Sequence, residues 1–591
     1  MTTDANTHAS ENLRTPGHQL DTARLDRAIT SLGSGARTWA DMSLSQRAQL
    51  LERTHESVAL SAARWTRIAS DIKGLEPESQ LVGEEWTSGP YAALTGFAAV
   101  AGSLRKLAAG DSPLDGVEKS ETAGGRLTWK VLPTDMRESI LFHGFSAEVW
   151  TRPGISADQV RSESGLGATQ LGTVGGVSLV LGAGNITSIG PLDVLTELVA
   201  HNRTSLLKIN PNLSPLLTVY REALGPLIEA DLLRVVEGGA EVGGYLSEHP
   251  EIAHVHITGS AATHDRIVWG DDDTREARAG APVLDKPITS ELGGVSPVIV
   301  VPGRWSKADL RYQAENIATM RLHNAGHNCI AAQTVVIDAD WRQREEFLEE
   351  LRGALERIEQ RDPWYPGGRS SLRQAESDHD QVESFSQGRR LLVSIDSDEA
   401  EEVETTEYFA AVLGVRAITV GSRAQEDSQS PRAVAFLQLA VDYANDRLAG
   451  TLGANVVIAP NDRKVLGSKF DAEIERLHFG AIGINVWTGL AFLTSTATWG
   501  AFPGHTLDDV QSGIGVVHNG LLIPHTERTV ISGPFRPFPR SVVGGEFSLF
   551  PKPPWFVTAR SAARTGQALT KFAAAPSWAK LPGIFFHAFR A

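Results

Sequence analysis

Residues 176–210 read GVSLVLGAGNITSIGPLDVLTELVAHNRTSLLKIN, and their pattern decides the fold. The first seven residues form a short apolar run closed by glycine at both ends, the pattern of a strand buried on both faces. Residues 191–201 then place apolar side chains at helical spacing, and SLLKI at 205–209 begins a second buried strand. Strand, helix and strand in this order make a crossover unit, which fixes the two strands as parallel. Further along, a helix over 213–230, LLRVVEG and IAHVHITGS continue the series. A second series follows: SPVIVV, a helix near 307–322, AQTVVID, a helix over 341–360, VLGVRAITV, a helix over 431–446, ANVVIAP and AIGINVW. The expected fold class is α/β, with two Rossmann-like parallel-sheet domains meeting near residue 290. Ligands of such sheets bind beyond the carboxyl ends of the strands, where GAGN (182–185) and ITGS (257–260) stand.

On the amino-terminal side, residues 20–32, 44–72 and 91–109 carry helical apolar spacing. From 126 to 153 the text changes to short alternating segments, RLTWKVLP and SILFHGFSAEVW, which predict a β-ribbon. Residues 1–19 are polar and lack the apolar centre of a signal peptide, so a disordered lead is expected. The carboxyl end differs again. After Glu546 no acidic residue occurs, while Lys552, Arg560, Arg564, Lys571, Lys580 and Arg590 alternate with Trp555, Phe556, Phe572, Trp578, Phe585, Phe586 and Phe589. Such a tail either packs within the protein or across a subunit boundary, or it makes peripheral contact with a membrane.

At 591 residues the chain exceeds one core, and a composition 41% apolar and 21% charged is that of a globular protein. A net charge of −16 argues against nucleic acid as a partner. One cysteine excludes an intrachain disulfide and a multi-thiolate zinc site, and no run of eighteen apolar residues provides a membrane span. A cytoplasmic protein is expected.

That single cysteine, Cys329, lies in NAGHNCIAAQ (324–333), beside a glycine and two asparagines. A thiolate that attacks a carbonyl needs a proton acceptor, donors for the oxyanion, and a hydride acceptor if an acid is made. Glu291, opening ELGGVSP, is a carboxylate at a strand end whose paired glycines let the backbone approach a ligand. Asn185 can offer its amide to an oxyanion together with the Cys329 N–H, and Thr258-Gly259-Ser260 can present N–H groups and a hydroxyl to a phosphate. Taken singly, each has a plainer reading: a buried thiol, a cap, a turn former, a strand-to-helix turn. His323, His327 and Cys329 could also hold a metal, but without a second thiolate no metal is assigned.

Together and in this order, these segments resemble the aldehyde dehydrogenase superfamily. NAGHNCIAAQTVVI is similar to its nucleophile segment, ELGGVSPVIV to the segment of its general base, and VVEGGAEVGGYLSEHPEIAHVHITGS to the approach to its phosphate turn. LLKINP resembles its ribose-lysine strand, EYFAAVLGV its nicotinamide-ribose segment, and WGAFPG with SGIG its carboxyl-terminal signature. The resemblance implies Cys329 as nucleophile, Glu291 as base, and Asn185 as oxyanion donor. It implies Lys208, Thr258, Gly259, Ser260, Glu407 and Phe409 as contacts of NAD or NADP. It further implies oxidation of an aldehyde to a carboxylic acid through a cysteine thiohemiacetal and thioester. The domains expected from it are a cofactor domain (20–125 and 159–289), a catalytic domain (290–515) and a small β oligomerisation arm (126–158 and 516–551). A basic aromatic tail (552–591) follows, and a homodimer or tetramer is expected.

The chain also departs from the family pattern. His327 stands where glutamine is usual, Gly182-Ala183-Gly184 where Pro-Trp precedes the asparagine, and Pro211 where NAD-selective members carry a carboxylate. An acidic insertion occupies 270–276, and no Gly-Pro follows the Glu407-Tyr408-Phe409 segment. Two further readings are a CoA-acylating dehydrogenase or acyl-thioester reductase, and a non-catalytic pseudo-dehydrogenase scaffold. Retention of both Cys329 and Glu291 weighs against each.

Overall fold

The structure is a computed structural model that describes residues 20–270, 281–395, 401–421 and 429–591. The lead at 1–19 and all but Gly270 of the acidic insertion lie outside the described residues.

Two sheets rich in parallel pairs organise the chain, in keeping with the expected α/β class. The smaller has six strands in the spatial order Gly513–Ile514, Ile288–Leu292, Ile252–Gly259, Val177–Leu181, Thr204–Lys208 and Leu233–Val236. Its last five strands are parallel, so Leu181, Lys208, Val236, Gly259 and Leu292 all end on one edge. Helix Ile189–His201, apolar except for a few spaced polar positions, buries nearly all of its residues against this sheet. The antiparallel strand Gly513–Ile514 pairs with Glu291 and Ser290 and so ties the end of the second half to the first. Only glycine fits there: Gly513 has φ +124°, and a Cβ would lie 2.1 Å from the Ser290 carbonyl oxygen.

The larger sheet has eleven strands. Its parallel centre runs Ala481–Ile484, Gly453–Val457, Ser296–Val300, Ala332–Asp338, Val412–Ile418 and Arg390–Ile395. Almost every residue of Ser296–Val300, Ala332–Asp338 and Gly453–Val457 is buried, which is why they read as unbroken apolar runs. The hairpin Val382–Phe385 to Arg390–Ile395 carries no apolar alternation strong enough to announce it. Its turn is set by positive φ at Ser386, Gln387 and Gly388.

The ribbon expected at 126–153 forms as Leu127–Leu132 and Ser146–Thr151, with a short edge strand Lys119–Glu121. Ser146–Thr151 pairs antiparallel with Thr526–Ser532, which runs parallel to Ala481–Ile484. The ribbon therefore extends its own chain's larger sheet. The expectation of an oligomer rested on strand edges lacking partners. Those edges are taken up within the chain, and what remains is three exposed residues, Lys119–Glu121, a short charged edge that resists further pairing.

The long helices Leu44–Ile72 and Ala92–Ala109 pack on each other and cover one face of the smaller sheet. The first begins with a capping box at Ser43 and Gln46. The tail folds back on this layer. Helix Ala562–Ala574 packs against Val82–Trp86 and the π-helical turn Thr87–Tyr91, with Leu569, Phe572, Leu581 and Ile584 buried between them. Lys552 pairs with Glu315 at 2.5 Å, and Phe556 stacks on Tyr312. Its apolar side chains are thus largely spent inside the protein, while Trp578, Phe586 and Phe589 stay exposed. Among the described residues no helix is long and apolar enough to cross a membrane.

Candidate active site

The loop carrying Cys329 leaves helix Lys307–Leu322 through a turn in which Asn324, Ala325 and Gly326 all take positive φ, 54°, 56° and 85°. Asparagine and glycine tolerate this region; an alanine there costs about 1–2 kcal/mol and must be held. Buried Arg321 does the holding, donating to the carbonyls of Gly326 (2.6 Å) and Val412 (3.3 Å). The Asn324 N–H donates to Glu84 Oε2 at 3.1 Å, and Arg361 donates to the same oxygen at 2.6 Å. Glu84 comes from a helix more than two hundred residues away, so no local pattern could attach it to this loop. His327 lies behind the thiol, not beside it. Its Nδ1 donates to the Phe409 carbonyl at 2.7 Å and its ring packs on Trp364, Tyr365 and Phe409. Burial pushes its pKa down to about 3, so it is a neutral strut between the nucleophile loop and the 407–409 segment.

Glu291, at the end of strand Ile288–Leu292, is buried and lines the same cavity as the Cys329 thiol, within its electrostatic reach. Burial, with the negative charge of Asp193 behind it, raises its pKa to about 7. Burial and the carboxylates of Glu291 and Glu407 push the Cys329 thiol well up as well. A protonated thiol that shares a cavity with a carboxylate poised near neutrality can hand over its proton as it attacks. Asn185 lies across the loop: its side-chain amide donates to the His327 carbonyl at 3.0 Å, and the second N–H of the same group remains for another acceptor.

Cys329 stands where two cavities meet. The larger, about 840 Å³, runs along the carboxyl ends of the smaller sheet and is lined by Asn185, Lys208, Gly259, Ser260, Glu407 and Phe409 among others. Ser260 caps helix Ala261–Trp269, accepting from the Thr263 N–H, so the open first turn of that helix faces the cleft. Thr258 lines the cleft with Gly259 and Ser260, while its hydroxyl turns inward and donates to Asp193 Oδ2 at 3.0 Å. Burial lowers the Lys208 ammonium pKa, and Glu241 opposite it works the other way. Glu407 is half-buried, and desolvation raises its pKa to about 8. Gly293 makes room for it, since a Cβ there would fall 2.0 Å from its carboxylate. Buried oxygens of Glu291 and Glu407 that lack hydrogen-bond partners, Lys208 and an open helix N-terminus fit a dinucleotide laid along this cleft.

Sequence reading missed what lies beneath Glu291. His254, His256 and Thr258 share one face of their strand, and helix Ile189–His201 sets Asp193 and Glu197 against them. His256 bonds Thr289 (2.9 Å) and reaches Asp193 (3.6 Å), while His254 pairs with Glu197 (3.3 Å). The signal was present: polar residues at period two in a buried strand, and two carboxylates four apart in an apolar helix. His518 adds a second imidazole 3.5 Å from Asp193. Although burial works against ionisation, these imidazoles keep Asp193 below the usual carboxylate range, and its charge helps hold the Glu291 pKa up.

With this geometry in place, the comparisons with known proteins agree with it. The Aldehyde dehydrogenase family profile matches residues 173–413. A probable aldehyde dehydrogenase of Streptomyces coelicolor is 24% identical over 321 residues, covering 51% of this chain and 56% of that protein. The chain thus spans about half the length of the curated relative it matches. Among solved structures, indole-3-acetaldehyde dehydrogenase of P. syringae in complex with NAD+ and IAA superposes with a TM-score of 0.56 at 16% identity, over 86% of this chain and 89% of that one. Aldehyde dehydrogenase C of Pseudomonas syringae, complexed with NAD+ and octanal, gives 0.56 at 18% identity over 87% and 90%. The fold is the one these enzymes share, and residues 173–413 carry the family match.

Proposed function

We propose that the protein oxidises an aldehyde to a carboxylic acid with NAD+ or NADP+. The observation that carries this reading is that Cys329 and Glu291 line one long polar-ended cleft, with Cys329 at its junction with a small, mostly apolar chamber. Cys329 Sγ attacks the aldehyde carbon while its proton passes to Glu291. The oxyanion so formed is stabilised by the Asn185 amide and the Cys329 N–H. A nicotinamide bound in the cleft supplies hydride acceptance, and loss of hydride from the thiohemiacetal carbon leaves a thioester on Cys329. Glu291 gives up the thiol's proton to solvent and then takes one from water, whose oxygen attacks the thioester; as the carbon–sulfur bond breaks Glu291 returns that proton to the departing thiolate, so the acid leaves and the thiol is restored. Lys208, Gly259, Ser260, Glu407 and Phe409 hold the cofactor in this reading, and Arg321 and His327 keep the loop in register. A base lining the same cavity as the nucleophile favours water over CoA as acyl acceptor.

The direct test is NAD(P)H formation from a panel of aliphatic and aromatic aldehydes, with and without CoA. Turnover that Cys329→Ser abolishes while cofactor still binds supports the reading. No reduction with any aldehyde overturns it, and strict dependence on CoA replaces it with the acylating reaction.

A further inference from the structure

The second cavity at Cys329 is small and bordered on one side by the tail. It measures about 50 Å³ and is walled by Ile186, Ile189, Trp487, Phe492, Trp499 and Trp555 around the thiol. About 10–15 Å³ of such space accommodates one water-sized group, so the chamber takes on the order of three or four non-hydrogen atoms. Its polar lining is already committed elsewhere. The Thr87 and Ser88 hydroxyls donate to the carbonyls of Gly83 and Glu84, at 2.9 and 2.7 Å, and the Asn328 amide donates to the His323 carbonyl at 3.0 Å. His323, whose Nδ1 meets the same Asn328 amide at 3.3 Å, adds one imidazole to a lining that is otherwise hydrocarbon and aromatic ring.

Trp555 alone among these lining residues comes from the segment 552–591. It is held from several sides. Its ring meets Phe145 edge to face, at 5.7 Å between centroids, and its neighbour Phe556 stacks on Tyr312 at 5.4 Å. Lys552 is anchored to Glu315 at 2.5 Å. Helix Ala562–Ala574 clamps the π-helical turn that supplies Thr87 and Ser88 to the same chamber. A tryptophan fixed in this way is a wall, since moving it would break apolar packing on both sides.

We propose that the tail is the end wall of the aldehyde chamber and that Trp555 limits the substrate to uncharged, unbranched aliphatic aldehydes of about two to four carbons, the span the cavity holds. This rests on the aldehyde dehydrogenase reading above and adds to it a size limit set by residues beyond the 173–413 family match.

The test compares kcat/KM for octanal and propanal in the wild-type protein, Trp555→Ala and Trp555→Phe, with thermal melting to confirm folding. Wild type should favour propanal by at least about tenfold. The octanal-to-propanal ratio should rise at least about tenfold in Trp555→Ala and by less in Trp555→Phe, as a pocket that gains room admits a longer chain. A wild type that takes both aldehydes equally, or a ratio that stays within about twofold in Trp555→Ala, overturns the proposal. A second readout needs no turnover: the rate at which N-alkyl iodoacetamides of increasing length alkylate Cys329 with NAD+ filling the cleft. Rates that fall with length in wild type and recover in Trp555→Ala support the wall even if no aldehyde is oxidised, in which case the activity reading alone fails. Rates independent of length in wild type refute the wall.

Discussion

Replacing Glu291 by Gln tests the carboxylate–thiol pair without requiring a substrate. Burial raises the Glu291 pKa from 4.5 to about 7, a rise worth about 3 kcal/mol. A group titrating near 7 is ionised in about one molecule in a hundred at about pH 5 and in about nine in ten at about pH 8. Iodoacetamide labelling of wild-type Cys329 should therefore speed up by roughly two orders of magnitude over that range and then level off, because the base is then fully available. In Glu291→Gln the thiol has no acceptor and its own pKa stays high from burial and Glu407. Labelling should then keep rising about tenfold per pH unit past about pH 9. Stability follows the opposite sense. The folded pKa lies above the unfolded one, so the stability this group contributes is complete below about 4.5 and lost as pH rises through about 7. Wild type should lose stability between about pH 5 and 8 relative to Glu291→Gln, by up to about 3 kcal/mol in denaturant titrations. Labelling profiles of the two proteins that level off at the same pH would refute the pairing of Glu291 with the thiol.

Cys329→Ser should leave less than about a hundredth of the aldehyde oxidation rate while fluorescence titration still detects cofactor binding, since a hydroxyl is a far weaker nucleophile. Asn185→Ala should lower kcat by about 10²–10³ with KM little changed, the usual cost of one oxyanion donor; a change confined to KM would remove Asn185 from that role. Selectivity between cofactors is expected to be loose or to favour NADP+, because Pro211 leaves no carboxylate at its position. Glu241, whose charge acts on Lys208, can then oppose a 2′-phosphate there, and Glu241→Ala should raise the NADP+/NAD+ ratio of kcat/KM several-fold, by about 1 kcal/mol; an unchanged ratio assigns selection elsewhere. Gly293→Ala should displace Glu407 and weaken cofactor binding in calorimetry, because the new methyl group needs the space of its carboxylate.

The class of fold was legible because both sheets are built on strands buried on two faces, which leave unbroken apolar runs separated by helical periods. Cys329, Glu291 and Asn185 were legible because each sits in a short glycine-containing segment at a strand or helix end, where local chemistry constrains the letters. What joins them was not. Asp193 and His256 reach Glu291 across a helix–sheet seam, Glu84 reaches the nucleophile loop from another layer, and the Thr258 hydroxyl turned inward because Asp193 offered a buried acceptor. The ribbon looked like an unpaired edge in one dimension, yet Thr526–Ser532 supplies its partner from nearly four hundred residues away. The basic aromatic tail was equally ambiguous, since its composition suits a membrane, an interface or a core. Sequence by itself determined the strand rhythm, the thiol and its neighbours, because those depend on local period and turn geometry. Only tertiary structure decided the pKa of Glu291, the partner of the ribbon and the place of Trp555 against the thiol, because burial and long-range contact belong to the packed chain alone.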